Sequence, residues 1–268
     1  MSKIKSLVTG GAGFIGSNLV DRLVKEGHHV TVIDNLSTGR LKNISHHNRS
    51  NVKFINFDIS KSKNLIKIVK DKSYIFHLAG LADIVPSIEN PEGYFSTNVK
   101  GTLNILNACK DLKIKKFIYA ASASCYGIPK KYPTDEKSKI DPKYPYALTK
   151  LLGEELVMHW AKIYNMPNLS LRFFNAYGLR SRTTGAYGAV FGVFLAQRLS
   201  NKPLTIVGNG RQTRDFIHVN DLVNAIVLAS KKKNLKAEIL NIGSGVETSV
   251  NEIAKIVGGK KIYVPKRP

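Results

Sequence analysis

Tyr146 and Lys150 stand four residues apart in Tyr146-Ala147-Leu148-Thr149-Lys150, and on a helix that interval puts both side chains on one face. A cation beside a phenol favours the phenolate, which makes tyrosine usable as a base near neutral pH. The same spacing arises by chance in many helices, so the pair takes its meaning from what surrounds it. Upstream, the apolar run Phe117-Ile118-Tyr119-Ala120 leads into Ala121-Ser122-Ala123-Ser124. A buried strand of that kind delivers its last residues to the carboxyl edge of a parallel sheet, where ligands collect. Serines at such a turn act either as hydroxyl relays or as caps, and for Ser124 both uses stay open.

A partner for such a base is suggested at the start of the chain. Val8-Thr9-Gly10-Gly11-Ala12-Gly13-Phe14-Ile15-Gly16 follows an apolar run and opens an amphipathic segment whose buried stripe is Leu19, Val20, Leu23 and Val24. Gly10 permits a tight bend, Gly13 leaves room for a pyrophosphate beside a helix N-terminus, and Gly16 lets that helix approach the sheet. An ordinary flexible loop has no need of this strand, turn, helix order. Asp34 ends the next strand, Val30 to Ile33, where a carboxylate accepts hydrogen bonds from both hydroxyls of an adenosine ribose and repels a 2′-phosphate. That favours NAD over NADP, the plainer alternative being a surface aspartate that merely ends a strand. Asp58 and Ile59, closing Val52 to Phe57, stand where an adenine edge would lie. Ala79 and Gly80, closing Tyr74 to Leu78, leave space for cofactor backbone. His77 reads as a packed residue, and with no second histidine or carboxylate at metal-ligand spacing from it, no metal is expected.

Strands over 3–9, 30–34, 52–57, 74–80, 117–120 and 169–175 alternate with helices over 17–26, 92–109 and 146–156. The alternation predicts an α/β fold built on a doubly wound parallel Rossmann sheet. Pro129, Pro133, Pro142 and Pro145 mark an irregular crossing before the helix that carries Tyr146. From 176 to 211 the alternation stops, apart from a helix near 190–199. Residues 214–219 then lead into a helix over 221–230, and 239–243 return to the sheet. The expected division is an NAD-binding region over 1–175, rejoined by 214–243, and a smaller substrate-binding region formed by 176–213 and 244–268.

With 268 residues of which 43% are apolar, the chain suits one large unit with an appendage. Lys and Arg number 41 against 19 Asp and Glu, a formal charge of +22, which raises nucleic-acid binding as an alternative. The lysines are scattered, and neither zinc-finger spacing nor an aromatic-and-basic RNA motif occurs, so the charge reads as a solvated surface that attracts anionic substrates. No apolar run reaches about 18 residues, and the N-terminus reads as a strand instead of a signal peptide. A cytoplasmic protein without membrane or nucleic-acid partners is the expectation. Cys109 and Cys125 are too few for a disulfide framework.

The blocks TGGAGFIG, DNLSTG from Asp34, HLAG from His77, NVKGTLNIL from Asn98, AASASCYG, YALTK, RFFNAYG and RDFIHV span nearly the whole chain. Together they resemble the extended short-chain dehydrogenase/reductases that modify nucleotide sugars, and within them the UDP-hexose 4-epimerases. The resemblance implies that Tyr146 and Lys150 are the catalytic pair and that Ser122 positions the sugar's O4. It implies NAD contacts from Gly10, Gly13, Phe14 and Ile15, from Asp34, Asn35, Ser37, Thr38 and Gly39, and from Asp58 and Ile59. Leu78, Ala79, Gly80, Asn98 and Phe173 join that set, as do Tyr146 and Lys150. Substrate contacts are implied for Ser122, Ser124, Asn175, Arg180, Tyr187, Arg214 and Arg267, with Arg182 a further candidate. Asn175 and Arg214 would meet the nucleotide diphosphate, the lesser alternative for Arg214 being a structural ion pair with a nearby acid such as Asp215.

By the same resemblance the reaction is inversion at C4 of a UDP-hexose, UDP-N-acetylhexosamine or UDP-hexuronate through a transient 4-keto sugar. The family's 4,6-dehydratases carry an Asp-Glu pair where Ala123 and Ser124 stand, which argues against dehydration. A nucleotide-sugar reductase or dehydrogenase is the second enzymatic reading, and a non-catalytic NAD-binding regulator the third. The segment Arg180 to Gly188 leans towards the N-acetylhexosamine and uronate enzymes. Lys266-Arg267-Pro268 stops at the opening of a family motif of arginine, glycine and an acidic residue, which is the ground for expecting truncation. A homodimer is implied, with Leu103, Leu106, Leu152, Leu156 and Trp160 as candidate contacts.

Overall fold

Ser6, Leu7, Val8 and Thr9 are all buried, so both faces of the first strand are covered, as happens at the centre of a parallel sheet flanked by helices. The computed structural model describes residues 4–129, 131–181, 190–234 and 236–265. The elements in chain order are β1 (Lys5–Thr9), α1 (Phe14–Lys25), β2 (His29–Asp34), β3 (Val52–Asn56), α2 (Leu65–Val69) and β4 (Tyr74–His77). Then come α3 (Ile84–Glu89), α4 (Pro91–Phe95), a π-turn over Ser96–Lys100, α5 (Gly101–Cys109), β5 (Lys116–Ser122) and α6 (Pro145–Ile163). β6 (Asn168–Phe173), β7 (Asn175–Tyr177), α7 (Val190–Leu199), β8 (Leu204–Val207), β9 (Thr213–His218) and α8 (Val219–Lys231) follow. β10 (Glu238–Ile242), β11 (Glu247–Ser249), α9 (Val250–Val257) and β12 (Lys261–Val264) complete the described chain.

The main sheet has seven strands in the order β10-β6-β5-β4-β1-β2-β3, and every neighbouring pair is parallel. The chain runs outward from β1 to β3 and then restarts on the other side at β4, so the strand order reverses between β1 and β4. A crevice opens at such a reversal. One face of the sheet is covered by a core that joins Leu19, Leu23 and Val32 to Leu222 and Ile226 of α8. The other joins Ile75, Phe117 and Tyr119 to Ile105 and Leu106 of α5 and Val157 of α6.

A three-stranded sheet, β11-β9-β7, and a two-stranded one, β12-β8, lie outside the main sheet. α7, β8 and α9 share a separate small core of Phe194, Leu204, Ile206, Ile253 and Ala254. The expected helix over 92–109 is interrupted by the π-turn at Ser96–Lys100, a feature that widens one turn and re-aims its side chains. Among the described residues no helix is long and apolar enough to cross a membrane.

Candidate active site

β1 passes into α1 through a turn in which Gly10 and Gly16 leave no space for a side chain. Gly10 has φ 68, and a Cβ there would meet the backbone of Ala79 at 2.8 Å, while one on Gly16 would come within 2.2 Å of the Gly10 carbonyl oxygen. Gly13 caps α1 without a side-chain hydrogen bond, and the first turn holds no acidic residue. The helix therefore presents its first amides and positive dipole end with nothing of its own to neutralise them, an anion-binding arrangement.

Asp34 is buried at the end of β2. Its Oδ2 accepts the Ala12 N–H at 3.0 Å and its Oδ1 the Leu36 N–H at 2.8 Å, which fixes the carboxylate beside the glycine turn. A Cβ on Gly39 would fall 2.9 Å from both oxygens, so Gly39 leaves that side of the carboxylate open. Beyond β3, burial pushes the Asp58 carboxyl up, but hydrogen bonds from Ser60 and Asn35 hold it below its usual range. Asn35 and Asp58 thus meet where two loops of the sheet edge converge. These residues fit an adenosine diphosphate: open amides for the pyrophosphate and an oriented carboxylate for the ribose.

The chemistry-bearing side chains gather on the other side of the strand reversal. β5 ends at Ser122, whose Oγ accepts a hydrogen bond from Tyr146 Oη at 3.1 Å and lies 2.8 Å from Ser124 Oγ. The Ser124 N–H also donates to Ser122 Oγ, at 3.2 Å, so Ser122 is the residue that caps this turn and the Ser124 hydroxyl stands beside it. α6 is seated on β5 by Gly153, where a Cβ would lie 2.2 Å from Tyr119 Oη. That hydroxyl in turn donates to the Lys150 carbonyl at 3.2 Å. This contact sets the depth of α6 and therefore the position of Tyr146 two turns earlier.

Lys150 is buried, with its ammonium 4.3 Å from the centre of the Tyr119 ring. Burial draws its pKa down to about 7, against an opposing pull from Glu154. The Tyr146 phenol is pushed up by burial and by the charge of Asp83, while hydrogen bonds to Ser122 and Ser124 act in the other direction. In this arrangement the phenol bonds to the serines, and the lysine ammonium lies towards Gly80, where a Cβ would stand 3.6 Å from Nζ.

Asn98, on the π-turn, is buried and works inside the protein. Its Nδ2 donates to the Leu81 carbonyl and to Thr149 Oγ1, both at 3.0 Å, and its Oδ1 accepts the Leu81 N–H at 2.8 Å. It clamps the Leu78–Leu81 edge to α6. Ala79 N–H is held by Thr9 Oγ1 at 3.0 Å, and the buried His77 bridges Thr9 and Thr102 at 2.7 and 2.9 Å. His77 is a packed residue, as expected, and burial drops its pKa to about 3. Phe173 is buried at the end of β6 in register with Ser122.

Asn175 and Arg214 are both exposed and sit on neighbouring strands, β7 and β9, with Asn175 Nδ2 donating to the Asp215 carbonyl at 3.0 Å. The Arg214 guanidinium donates to the Thr213 carbonyl at 2.7 Å. The carboxylate of Asp215 accepts instead from Ser244 N–H, Ser244 Oγ and Gly245 N–H at 2.7–2.9 Å, so the alternative ion pair with Arg214 is not what holds Asp215. Arg180 is engaged away from Asn175 and Arg214, 2.8 Å from Asp21 on α1. Tyr187, Arg182 and Arg267 lie outside the described residues.

Beneath the serines runs a buried network that motif reading missed. Glu154 pairs with Arg172 at 2.5 Å, both side chains almost fully buried, and also accepts from Ser170 Oγ at 2.7 Å. Arg172 continues to Tyr126 Oη at 2.7 Å, and Tyr126 to Asn241 at 2.8 Å. The signal was present: Glu154 lies one helical turn past Lys150, and Arg172 is a charge inside an apolar strand.

The profile of the NAD dependent epimerase/dehydratase family matches residues 6–243. The chain belongs to that family. It is an NAD-dependent enzyme of the kind that modifies nucleotide sugars. A UDP-glucose 4-epimerase of Mycolicibacterium smegmatis is 35% identical over 268 residues, covering 99% of this chain and 85% of the relative. A UDP-N-acetyl-alpha-D-glucosaminuronate decarboxylase of Bacillus cytotoxicus is 35% identical over 278 residues, covering 98% and 84%. Among solved structures, UDP-N-acetylglucosamine 4-epimerase from Methanobrevibacter ruminantium M1, in complex with UDP-N-acetylmuramic acid, superposes with a TM-score of 0.94 at 33% identity, covering 100% of this chain and 87% of that one.

Proposed function

We propose that the enzyme is a nucleotide-sugar 4-epimerase acting on a UDP-hexose or one of its N-acetylated or uronate forms. The observation that carries this reading is the hydrogen bond from Tyr146 to Ser122 at the carboxyl edge of β5, one helical turn from the buried Lys150. Bound NAD supplies reversible acceptance of hydride from C4, so that a transient 4-keto sugar can form and be reduced from its other face. Tyr146 takes the O4 proton, directly or through Ser122, and returns it in the second half. Lys150 provides the cation that favours the phenolate. Gly10, Gly13, Phe14 and Ile15 would hold the pyrophosphate, Asp34 the ribose, with Asn35, Ser37, Thr38 and Gly39 beside it and Asp58 and Ile59 towards the adenine. Leu78, Ala79, Gly80, Asn98 and Phe173 would line the nicotinamide side.

Asn175 and Arg214 would grip the diphosphate, since a guanidinium matches phosphate oxygens in charge and geometry. That grip leaves the sugar free to turn. Ala123 and Ser124 supply neither the acid nor the base that water elimination needs, which supports epimerisation over dehydration. Incubating the enzyme with UDP-glucose, UDP-N-acetylglucosamine and UDP-glucuronate and following the C4 proton by NMR tests the reading. Inversion with no net NADH is expected; net NADH formation would support a dehydrogenase, and loss of the carboxyl carbon from the uronate would support decarboxylation.

The reading includes a homodimer. Phe95 of α4, Tyr144 just before α6 and Leu148 of α6 are 52%, 45% and 46% exposed beside Pro91 and Pro142, an apolar groove that a second copy would cover. Leu106, one of the expected contacts, is fully buried in the core of its own chain and contributes nothing to such a face. Light scattering decides between monomer and dimer.

A further inference from the structure

Away from the active site, two histidines adjacent in the chain converge on one carboxylate oxygen. His46 Nε2 lies 3.0 Å and His47 Nε2 2.6 Å from Oδ1 of Asp21, with the two rings 4.1 Å apart between centroids. The ligating atoms of all three residues fall within 4.8 Å of one another. Neighbouring side chains ordinarily diverge, on a strand to opposite faces. Here a turn, in which the His47 N–H donates to the Ile44 carbonyl at 3.2 Å, brings both rings onto the same point above α1.

The other oxygen of Asp21 is held by Arg180 Nη1 at 2.8 Å. Arg180 adopts φ 69, a left-handed backbone that is costly for a residue with a side chain. The guanidinium reduces the affinity for a cation but fixes which oxygen faces the imidazoles, as outer partners of ligating carboxylates do. His47 is 11% exposed, Asp21 33% and His46 49%, so one side of the cluster is open to water.

We propose that Asp21, His46 and His47 form a binding site for a borderline divalent cation of the Zn²⁺ class, with water in the remaining position. Two imidazoles and one carboxylate are ligand chemistry for such an ion and poor chemistry for Mg²⁺ or Ca²⁺. A tetrahedral ion with bonds of about 2.1 Å sets its donors about 3.4 Å apart, so the rings have to withdraw from Asp21 by less than an ångström. The ion would tie the segment that follows Asn35–Gly39 to the helix that begins at the glycine turn. That segment already reaches the turn through Arg40 N–H and Asn43 Nδ2, which donate to the Ala12 carbonyl at 2.9 and 2.8 Å. A cation at Asp21 staples the same two pieces one layer further out.

The test is calorimetric titration of the NAD-loaded full chain with Zn²⁺, repeated on the double variant H46Q/H47Q. Glutamine retains an N–H donor for Asp21 and is a poor ligand, so the variant keeps the fold, which NAD occupancy and circular dichroism check. One Zn²⁺ per chain is expected in the parent, with binding at least about 100-fold weaker in the variant and a Zn²⁺-dependent rise in Tm in the parent only. Absence of binding in the parent, or equal binding in both proteins, overturns the proposal. If the double variant does not fold, Asp21→Asn replaces it with the same expected loss.

Discussion

Tyr146 Oη donates to Ser122 Oγ across 3.1 Å, joining the first turn of α6 to the last residue of β5. The two are 24 residues apart, and what brings them together lies elsewhere: the Gly153 seat on Tyr119 and the clamp of Asn98 on Thr149. The hydroxyl pair is thus placed by the sheet and the helix packed on it, which is more exact than a loop would manage.

Tyr146→Phe should retain NAD binding and lose turnover by about 10²–10⁴-fold, the usual worth of a positioned base. Its stability should change by no more than about 1 kcal/mol, because Ser122 and Ser124 keep their own hydrogen bond at 2.8 Å and no buried group is orphaned. NMR of the sugar product and chemical denaturation measure the two. Turnover equal to the parent would remove Tyr146 from the mechanism.

Ser122→Ala takes away the phenol's acceptor. Because hydrogen bonding to Ser122 acts to lower the Tyr146 pKa, its loss should raise that pKa further and carry the alkaline rise of kcat/KM to higher pH. Ser124→Ala removes the smaller of the two hydrogen-bonding influences on the phenol and should move the profile in the same direction by less. Profiles that coincide with the parent would show that the serines do not bear on the base.

The glycine turn, Asp34 and the order of strands and helices could be read from the residues because each depends on local pattern. β8 and β12 could not: they are four residues each and pair in parallel, Leu204 opposite Lys261, too short to show a period and joined across a long separation. α9 carries a readable local signal in its capping box, Ser249 with Glu252. The π-turn at Asn98 and the meeting of Asp21 with His46 and His47 depend on packing between segments, and no spacing along the chain encodes it.

Glu154 and Arg172 make a prediction about stability. Replacing Glu154 by Gln leaves the guanidinium buried without its counter-charge, and breaking one half of such a pair costs about 3–5 kcal/mol. Both side chains are nearly fully buried, so solvent screens little of this. Urea unfolding of the variant should show a midpoint lowered accordingly with an unchanged slope. A loss below about 1 kcal/mol would mean that water reaches the pair.

Lys150 links the site to pH. Burial lowers its pKa from 10.5 to about 7 in the folded chain, with Glu154 resisting. The unfolded chain keeps its proton up to the higher value, so between the two the unfolded state binds more protons and stability rises with pH. Below about 7 the fold carries a buried ammonium at full cost; approaching 10.5 that cost disappears. Lys150→Met has no charge to bury, so the stability of the parent relative to the variant should climb as pH rises through this window, measured by urea unfolding of the ligand-free chains. A difference that stays constant across the window would show that the ammonium is solvated, and that its place over the Tyr119 ring does not desolvate it.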